Sequence, residues 1–522
     1  MDFQSILNDV LGPVMRGPSS SHTAGSHRIA RMARSILGGE PAFASFRFDP
    51  LGSYARTYRE QAADRAFAAG LMGWDIQDDR FPLALERAAD EGLVVEFGEE
   101  RIERADHPNA VRLTVRSKDG RALEATAKST GGGGFLFSEI DGVAAALNGK
   151  SYVLLIWADP GATAEAVESW LGRRGGVEFS RSEGGDGLLW TFESAVSFDP
   201  AEVDLWNTRS WVRAVRRVDP VFYVKRGEAL FSSGSELTSL AARNRWSLGR
   251  AALAYESRML GLSEEEATGE IMARYRIMKA AVERGLNGDG IRLRLLDPCA
   301  RRIFEGERAG RLAVGGPHAR AAARAMAVLH VSNSGGVVCA APTGASSGVL
   351  PGVLTTLAEE RALDDGQLAM SLWAAGAAGL IVALRATFAA EVAGCQVEIG
   401  AAGAMAAAAA VEAVGGSASQ ALDAAAISLQ NAMGSVCDPV QGFCEIPCHT
   451  RNAAAASAAM TAADLILGGY ANPIPLDETV DAVLATGLLL PRELRCTSRG
   501  GIALAPSALR LPVRTDPEEG GS

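Results

Sequence analysis

Four alanine-rich stretches, at 319–330, 368–390, 401–413 and 452–466, constrain this chain more than any other feature. Alanine is the best helix former. A helix faced mainly with Ala and Gly can approach its neighbours closely but has no broad polar face to offer water, so it belongs inside a bundle. The segment from 226 to 510 therefore reads as an all-α domain whose helices are separated by Gly/Pro/Ser loops. Leu368 to Leu384 carries no charged residue. It is shorter than the roughly 20 apolar residues a membrane span needs, and reads as a buried bundle helix.

At 522 residues the chain is too long for one core of ordinary size, so two or three domains are expected. An apolar content of 48% with 22% charged residues is that of a soluble globular protein. The formal charge is −11 and no Lys/Arg cluster forms a phosphate-binding stripe, which argues against nucleic acid as a partner. The opening MDFQSILNDVLGPV lacks a basic n-region and an apolar h-region. The expectation is a cytoplasmic protein with no membrane partner and a small molecule as ligand, and a homodimer is compatible with it.

Residues 1–149 mix β-prone runs, Ala44 to Phe48 and Val111 to Val115, with a helical stretch from Tyr58 to Met72, and read as an α+β domain. Residues 150–225 read strand (Tyr152–Trp157), helix (Ala162–Leu171), strand (Val177–Ser180), strand (Gly187–Phe192), helix (Pro200–Val215), strand (Val221–Val224). This βαββαβ order suggests a ferredoxin-like unit. The turn Asp159-Pro160-Gly161 resembles the one that opens an ACT domain. That likeness implies an amino-acid-binding regulatory unit, and a spacer without a ligand fits the same pattern. Residues 511–522 read as a loose tail.

Five of the seven cysteines lie after residue 390. Cys395, Cys437 and Cys448 each sit in a loop at a helix boundary, 42 and 11 residues apart. Three thiolates from separate loops can hold three irons of a [4Fe–4S] cluster and leave the fourth iron open as a Lewis acid. Spacing alone leaves ligation and packing both open, because no C-x-x-C motif is present.

The flanking residues go further. Gly394-Cys395-Gln396-Val397-Glu398-Ile399-Gly400, Met433-Gly434-Ser435-Val436-Cys437-Asp438-Pro439-Val440-Gln441-Gly442 and Pro447-Cys448-His449-Thr450-Arg451-Asn452 resemble the three cysteine segments of the iron–sulfur L-serine dehydratases. So do the loop Ala341 to Gly352, the intact GPSSSHT at Gly17 to Thr23, and shorter echoes at Gly52-Ser53-Tyr54-Ala55 and His107-Pro108-Asn109. The resemblance spans nearly the whole chain. It implies conversion of L-serine to pyruvate and ammonia without pyridoxal phosphate, on a [4Fe–4S] cluster held by Cys395, Cys437 and Cys448. It further implies catalytic roles for His22, Glu398 and Ser346, and substrate contacts from Ser19, Ser20, Ser21, Thr23, Thr343 and Asn452.

Independently of that likeness, consecutive hydroxyls with free backbone N–H groups at a helix start form either a carboxylate-binding nest or a plain N-cap, and His22 adds a switchable charge. Small residues at Thr343 to Ser347 likewise suit either a ligand or a helix contact. The chain departs from the family pattern where Gln61 replaces a histidine, where Gly344-Ala345 stands for Ala-Gly, and at the C-terminus, where some members carry a cysteine that caps the open iron. Gln61 can hydrogen-bond but cannot exchange a proton near neutral pH. That difference keeps two other readings open: a lyase for another β-substituted amino acid, and a non-catalytic amino-acid sensor. Cys299, Cys339 and Cys444 read as packing, and His27, His318, His330 and His449 as surface or core residues, with His449 placed to tune a cluster at its neighbour.

Overall fold

The computed structural model describes residues 3–103, 105–160, 162, 165–184 and 187–514. Gly161 of the expected turn and residues 515–522 of the expected tail lie outside them.

A six-stranded sheet dominates the N-terminal part. Its strand order is Val94–Glu99, Pro41–Phe48, Ala110–Ser117, Ala122–Gly131, Gly134–Ile140, Val143–Leu147. The first pair is parallel and the others antiparallel. Along Ala110–Ser117, Val111, Leu113 and Val115 are buried while Arg112 and Arg116 face water, the alternation of a sheet covered on one side. The helices Gly25–Leu37 and Ala63–Met72 share this core, with Phe67 stacked 4.1 Å from Phe46. The second helix begins at Ala63, not at Tyr58 as the periodicity predicts. Ala62 turns left-handed (φ 56°) and Ala63 N–H bonds the Tyr58 carbonyl, which breaks the helical run just after Gln61.

Residues 152–218 form a second sheet of four strands in the order Val212–Val218, Tyr152–Ala158, Gly187–Ser194, Val177–Gly184, every neighbour antiparallel. The helix predicted over Pro200–Val215 ends at Asn207, where Thr208 Oγ1 bonds back to the Leu205 carbonyl. Trp211 packs 5.0 Å from Trp190, and the β-branched run behind it becomes the last strand. Val221–Val224 is no strand. The Asn8 side chain takes both polar groups of Tyr223, its Nδ2 donating to the carbonyl and its Oδ1 accepting from the N–H, each at 2.9 Å.

From Gly234 onward the chain is helical, and the predicted alanine-rich stretches fall in Pro317–Asn333, Asp365–Arg385, Ile399–Ala413 and Cys448–Leu467. Asp365–Arg385 is long and apolar enough to cross a membrane by composition, yet 78% of its most apolar window is buried inside the protein. It packs on Ile399–Ala413 and on residues 6–10. That first turn is held by Glu256, fully buried, which accepts from Ser5 Oγ (2.5 Å), Ile6 N–H (2.9 Å) and Leu7 N–H (2.8 Å). Phe3, Ile6, Leu7, Val10 and Leu11 therefore lie in the core of the helical region. Val14–Arg16 then pairs antiparallel with Val337–Cys339, a two-stranded ribbon that ties both halves of the sequence together just before their loops enter one site.

Small residues set the helix spacings, and two glycines of one helix give opposite predictions. In Glu264–Asn287, a Cβ on Gly285 would stand 2.0 Å from the Ala327 carbonyl oxygen, whereas Gly269 faces open space. Gly285→Ala should lower the free energy of urea unfolding by about 1–3 kcal/mol, and Gly269→Ala should raise it by about 0.5–1 kcal/mol.

Buried histidines give a pH dependence. Loss of water pulls His22, His27 and His330 down to about 4. Between the unfolded value near 6.5 and about 4 the unfolded chain binds protons that the folded one refuses, so stability is full above pH 6.5 and falls as pH drops through that window. Each histidine adds a slope approaching about 1.4 kcal/mol per pH unit. Unfolding midpoints measured between pH 7.5 and 5 should fall accordingly.

Candidate active site

The helix Ile399–Ala413 is buried along almost its whole length, which its Ala/Gly sequence alone permits, and its N-terminus points into the protein rather than at water. The turn Cys395–Val397 lies just before it. A Cβ on Gly394 (φ 79°) would come within 2.6 Å of the Ser435 carbonyl, so a glycine lets this strand of chain cross the 433–437 loop at contact distance. Gln396 locks the crossing, donating from Nε2 to the Ala393 carbonyl (2.8 Å) and accepting at Oε1 from Gly434 N–H (2.9 Å). Cys437 is pinned from its other side by Leu494 and Cys496, through N–H to carbonyl bonds of 2.9 and 2.8 Å.

The result is a buried group of sulfurs. Cys395 Sγ, Cys437 Sγ and a Glu398 carboxylate oxygen lie within 4.8 Å of one another. The Cys437 thiol also bonds Cys496. Cys448 opens the helix Cys448–Leu467 and packs against Cys444 and Ala345. It stands outside the 4.8 Å trio, yet its thiol, with those of Cys395 and Cys496, bears on Glu398. Burial first, then these neighbours, holds the Glu398 carboxyl well above the ordinary range. The Cys437 hydrogen bond is the first cause that lowers Cys395, and the Arg451 guanidinium, 3.6 Å from its sulfur and paired with Asp438 at 3.0 Å, adds to it.

This donor set suits a thiolate-held metal group. The sulfurs are buried together and take one another as partners, and Cys395 and Cys448 sit at the N-termini of two long helices, where the dipole favours anionic ligands.

The Ser19–Thr23 loop reaches this region from the N-terminal part, and every residue in it is buried. Ser19 caps the turn, its hydroxyl accepting from His22 N–H at 3.2 Å, and Thr23 Oγ1 donates to the Gln61 carbonyl at 2.9 Å. The Ser20 hydroxyl is buried with no partner among the described residues. The His22 ring is enclosed by Thr57 Oγ1, 2.9 Å from Nε2, Ser19 Oγ, 3.3 Å from Nδ1, and Glu391 Oε1, 3.4 Å from Nδ1, with Tyr54 edge-on. Loss of water outweighs Glu391 and keeps this imidazole neutral at pH 7.

Gly344 brings the second loop against the first, its missing Cβ leaving 3.0 Å to Pro18 O and Ser20 N. Within it Thr343 and Ser346 bond each other at 3.0 Å. Asn452 is spent on positioning: Nδ2 donates to the carbonyls of Ala345 (2.8 Å) and Cys448 (2.9 Å), and Oδ1 accepts from Gly348 N–H. Gln61 stands beside the sulfurs, its Nε2 3.2 Å from the Gly442 carbonyl and 3.8 Å from Cys496 Sγ.

The structure thus brings together Cys395, Cys437, Cys448, Glu398, His22 and the two hydroxyl loops. Cys444 touches Cys448, while Cys339 lies in the Val337–Cys339 strand and Cys299 against Met326. His449 lies over His330 and is held by Asn333, 3.0 Å from its Nε2. Glu391 and Thr57 lie outside the motifs, Ser53 belongs to the Gly52–Ala55 echo, and Cys496 is the last cysteine of the chain. The nearest signal for Glu391 was its place four residues before Cys395.

Comparison with known proteins agrees with this geometry. The family described as serine dehydratase alpha chain matches residues 224–503, and that described as serine dehydratase beta chain matches residues 11–140. A probable L-serine dehydratase, alpha chain, of Bacillus subtilis is 36% identical over 282 residues, 54% of this chain and 94% of that protein. The probable L-serine dehydratase, beta chain, of the same organism is 36% identical over 211 residues, 39% of this chain and 93% of its own. The L-serine dehydratase, alpha chain, of Peptoniphilus asaccharolyticus is 37% identical over 242 residues, 46% and 83% of the two chains. With the beta-chain region ahead of the alpha-chain region on one polypeptide, this chain belongs to the serine dehydratase family.

Proposed function

We propose that the chain is an L-serine ammonia-lyase whose cofactor is a [4Fe–4S] cluster held by Cys395, Cys437 and Cys448. The observation that carries this reading is the meeting of buried cysteines with a neutral buried histidine and two hydroxyl-rich loops, drawn from opposite ends of the sequence. A cluster with three thiolate ligands supplies a Lewis acid that weakens the β-carbon–oxygen bond.

The protein's own groups account for the rest. The Ser19–Thr23 loop, with its unpartnered Ser20 hydroxyl, and the Thr343–Ser346 turn it touches supply donors for the substrate carboxylate. His22 is neutral and desolvated, and its imidazole takes the α-proton. Glu398, against Cys395 and Cys437 and held well above the ordinary carboxyl range by burial, would give its proton to the departing hydroxyl, which leaves as water. The enamine leaves the site and becomes an imine, which water hydrolyses to pyruvate and ammonia. Gln61 favours a second reading, a different β-substituted amino acid as substrate, because its side chain lies beside the sulfur group and cannot carry a proton.

The middle sheet supports a ferredoxin-like, ACT-like reading of residues 150–225, since its outer strands flank the first and third strands of the unit in the order 4-1-3-2.

Anaerobic reconstitution of the full chain with iron and sulfide should give a brown protein that releases pyruvate and ammonia from L-serine. Cys395→Ala, Cys437→Ala and Cys448→Ala should each abolish the visible absorbance, and Cys444→Ala should keep it. His22→Ala should retain the absorbance while kcat falls by about 10²–10⁴. A colourless, iron-free wild type, or a full cluster in any of the first three variants, overturns the assignment. Turnover of another β-substituted amino acid in preference to serine selects the second reading.

A further inference from the structure

One buried carboxyl in the site has an oxygen with no hydrogen-bond partner among the described residues. Glu391 lies in the short Ala390–Ala393 helix and is 2% exposed. Its Oε1 is 3.4 Å from His22 Nδ1, and its Oε2 is buried with no hydrogen-bond partner among the described residues. The titratable groups around it among the described residues are His22, Tyr54, His107 and Glu398. None of them supplies a cation at neutral pH. Burial pushes both histidines down and the tyrosine up, and the fourth group is another carboxyl. A carboxylate stripped of water and left without a partner is costly, and proteins keep one where a partner arrives from outside.

We propose that Glu391 Oε2 is the seat of the substrate's α-ammonium group, and so the residue by which the site selects an amino acid over the corresponding hydroxy acid. The inference rests on the reading of the chain as an amino-acid lyase. A second orphan complements it: the Ser20 hydroxyl, on the loop that carries His22, lacks an acceptor. A zwitterion satisfies both, its ammonium on Glu391 and its carboxylate on the hydroxyl loop. His22 Nδ1 stands 3.4 Å from Oε1, and Oε2 is the oxygen left for the ligand. The same contact sets the α-carbon, which joins the two charged groups, beside the imidazole.

The test uses the full chain, anaerobically loaded with iron and sulfide, titrated with L-serine and with 3-hydroxypropionate, which keeps the carboxylate and the β-hydroxyl but lacks the amine. Affinity for L-serine is read as KM from pyruvate release and affinity for 3-hydroxypropionate as its inhibition constant against serine, with cluster absorbance as the check on folding. Wild type should bind L-serine at least about 10-fold more tightly than 3-hydroxypropionate, the scale of one hydrogen bond to a charged group. Glu391→Gln, which keeps an acceptor for His22, should remove that preference by weakening serine alone, and Glu391→Asp should restore part of it. The inference is overturned if Glu391→Gln binds serine as wild type does, if it weakens both ligands equally, or if wild type shows no preference between them. A wild type that holds its cluster but binds no serine overturns the lyase reading as well, which tells the two failures apart.

Discussion

A helix whose neighbours pack close on every side is helped by residues with almost no side chain, and the architecture follows from that packing at Ile399–Ala413. Its neighbours Asp365–Arg385, Ala418–Asn431 and Cys448–Leu467 close around it because Ala and Gly let them. The enclosure is also what gives the site its character. The turn that carries Cys395 and Glu398 is at the inner end of this helix, so thiols and carboxyls that would be ordinary at a surface stand there without water. In such a medium charges are screened less than at a surface, and a polar atom without a partner is costly.

The site draws on loops scattered from residue 19 to residue 496, and few of them act alone. Gly394 permits a crossing that Gln396 then locks, Asn452 joins the Cys448 helix to the Ala345 loop, and the ribbon between Val14–Arg16 and Val337–Cys339 ties the two hydroxyl loops into one frame. Several residues that a motif marks as important are also tied into this frame. Asn452 has both ends of its amide occupied by backbone, and the Ser346 hydroxyl serves Thr343. Those bonds stiffen the frame on which the reactive groups are mounted.

Much of this was legible from residues alone where local chemistry decides the outcome. The alanine-rich runs became buried helices because composition leaves them no other place, and the cysteine segments stood out through their neighbours, not their spacing. Other features depend on partners distant in sequence. Val221–Val224 has the composition of a strand, but Asn8 occupies its hydrogen-bonding groups. The helix around Tyr58 breaks at Ala62, a residue with no intrinsic taste for a left-handed backbone, in a turn whose Gln61 carbonyl takes the Thr23 hydroxyl. Glu391 was silent among 62 acidic residues, since what distinguishes it is an oxygen without a partner among the described residues, and Cys496 is brought to the sulfur group by its backbone pairing with Cys437.

The path of residues 3–16 has a bearing on assembly. This stretch precedes the N-terminal sheet, yet it lies in the helical core and pairs there with the 337–339 strand. In Bacillus subtilis the matching regions carry the names of separate alpha and beta chains. Here one covalent thread makes their meeting an intramolecular event, with an effective local concentration of millimolar order. Dilution cannot part the histidine from the sulfurs, and neither half can be synthesised in excess of the other.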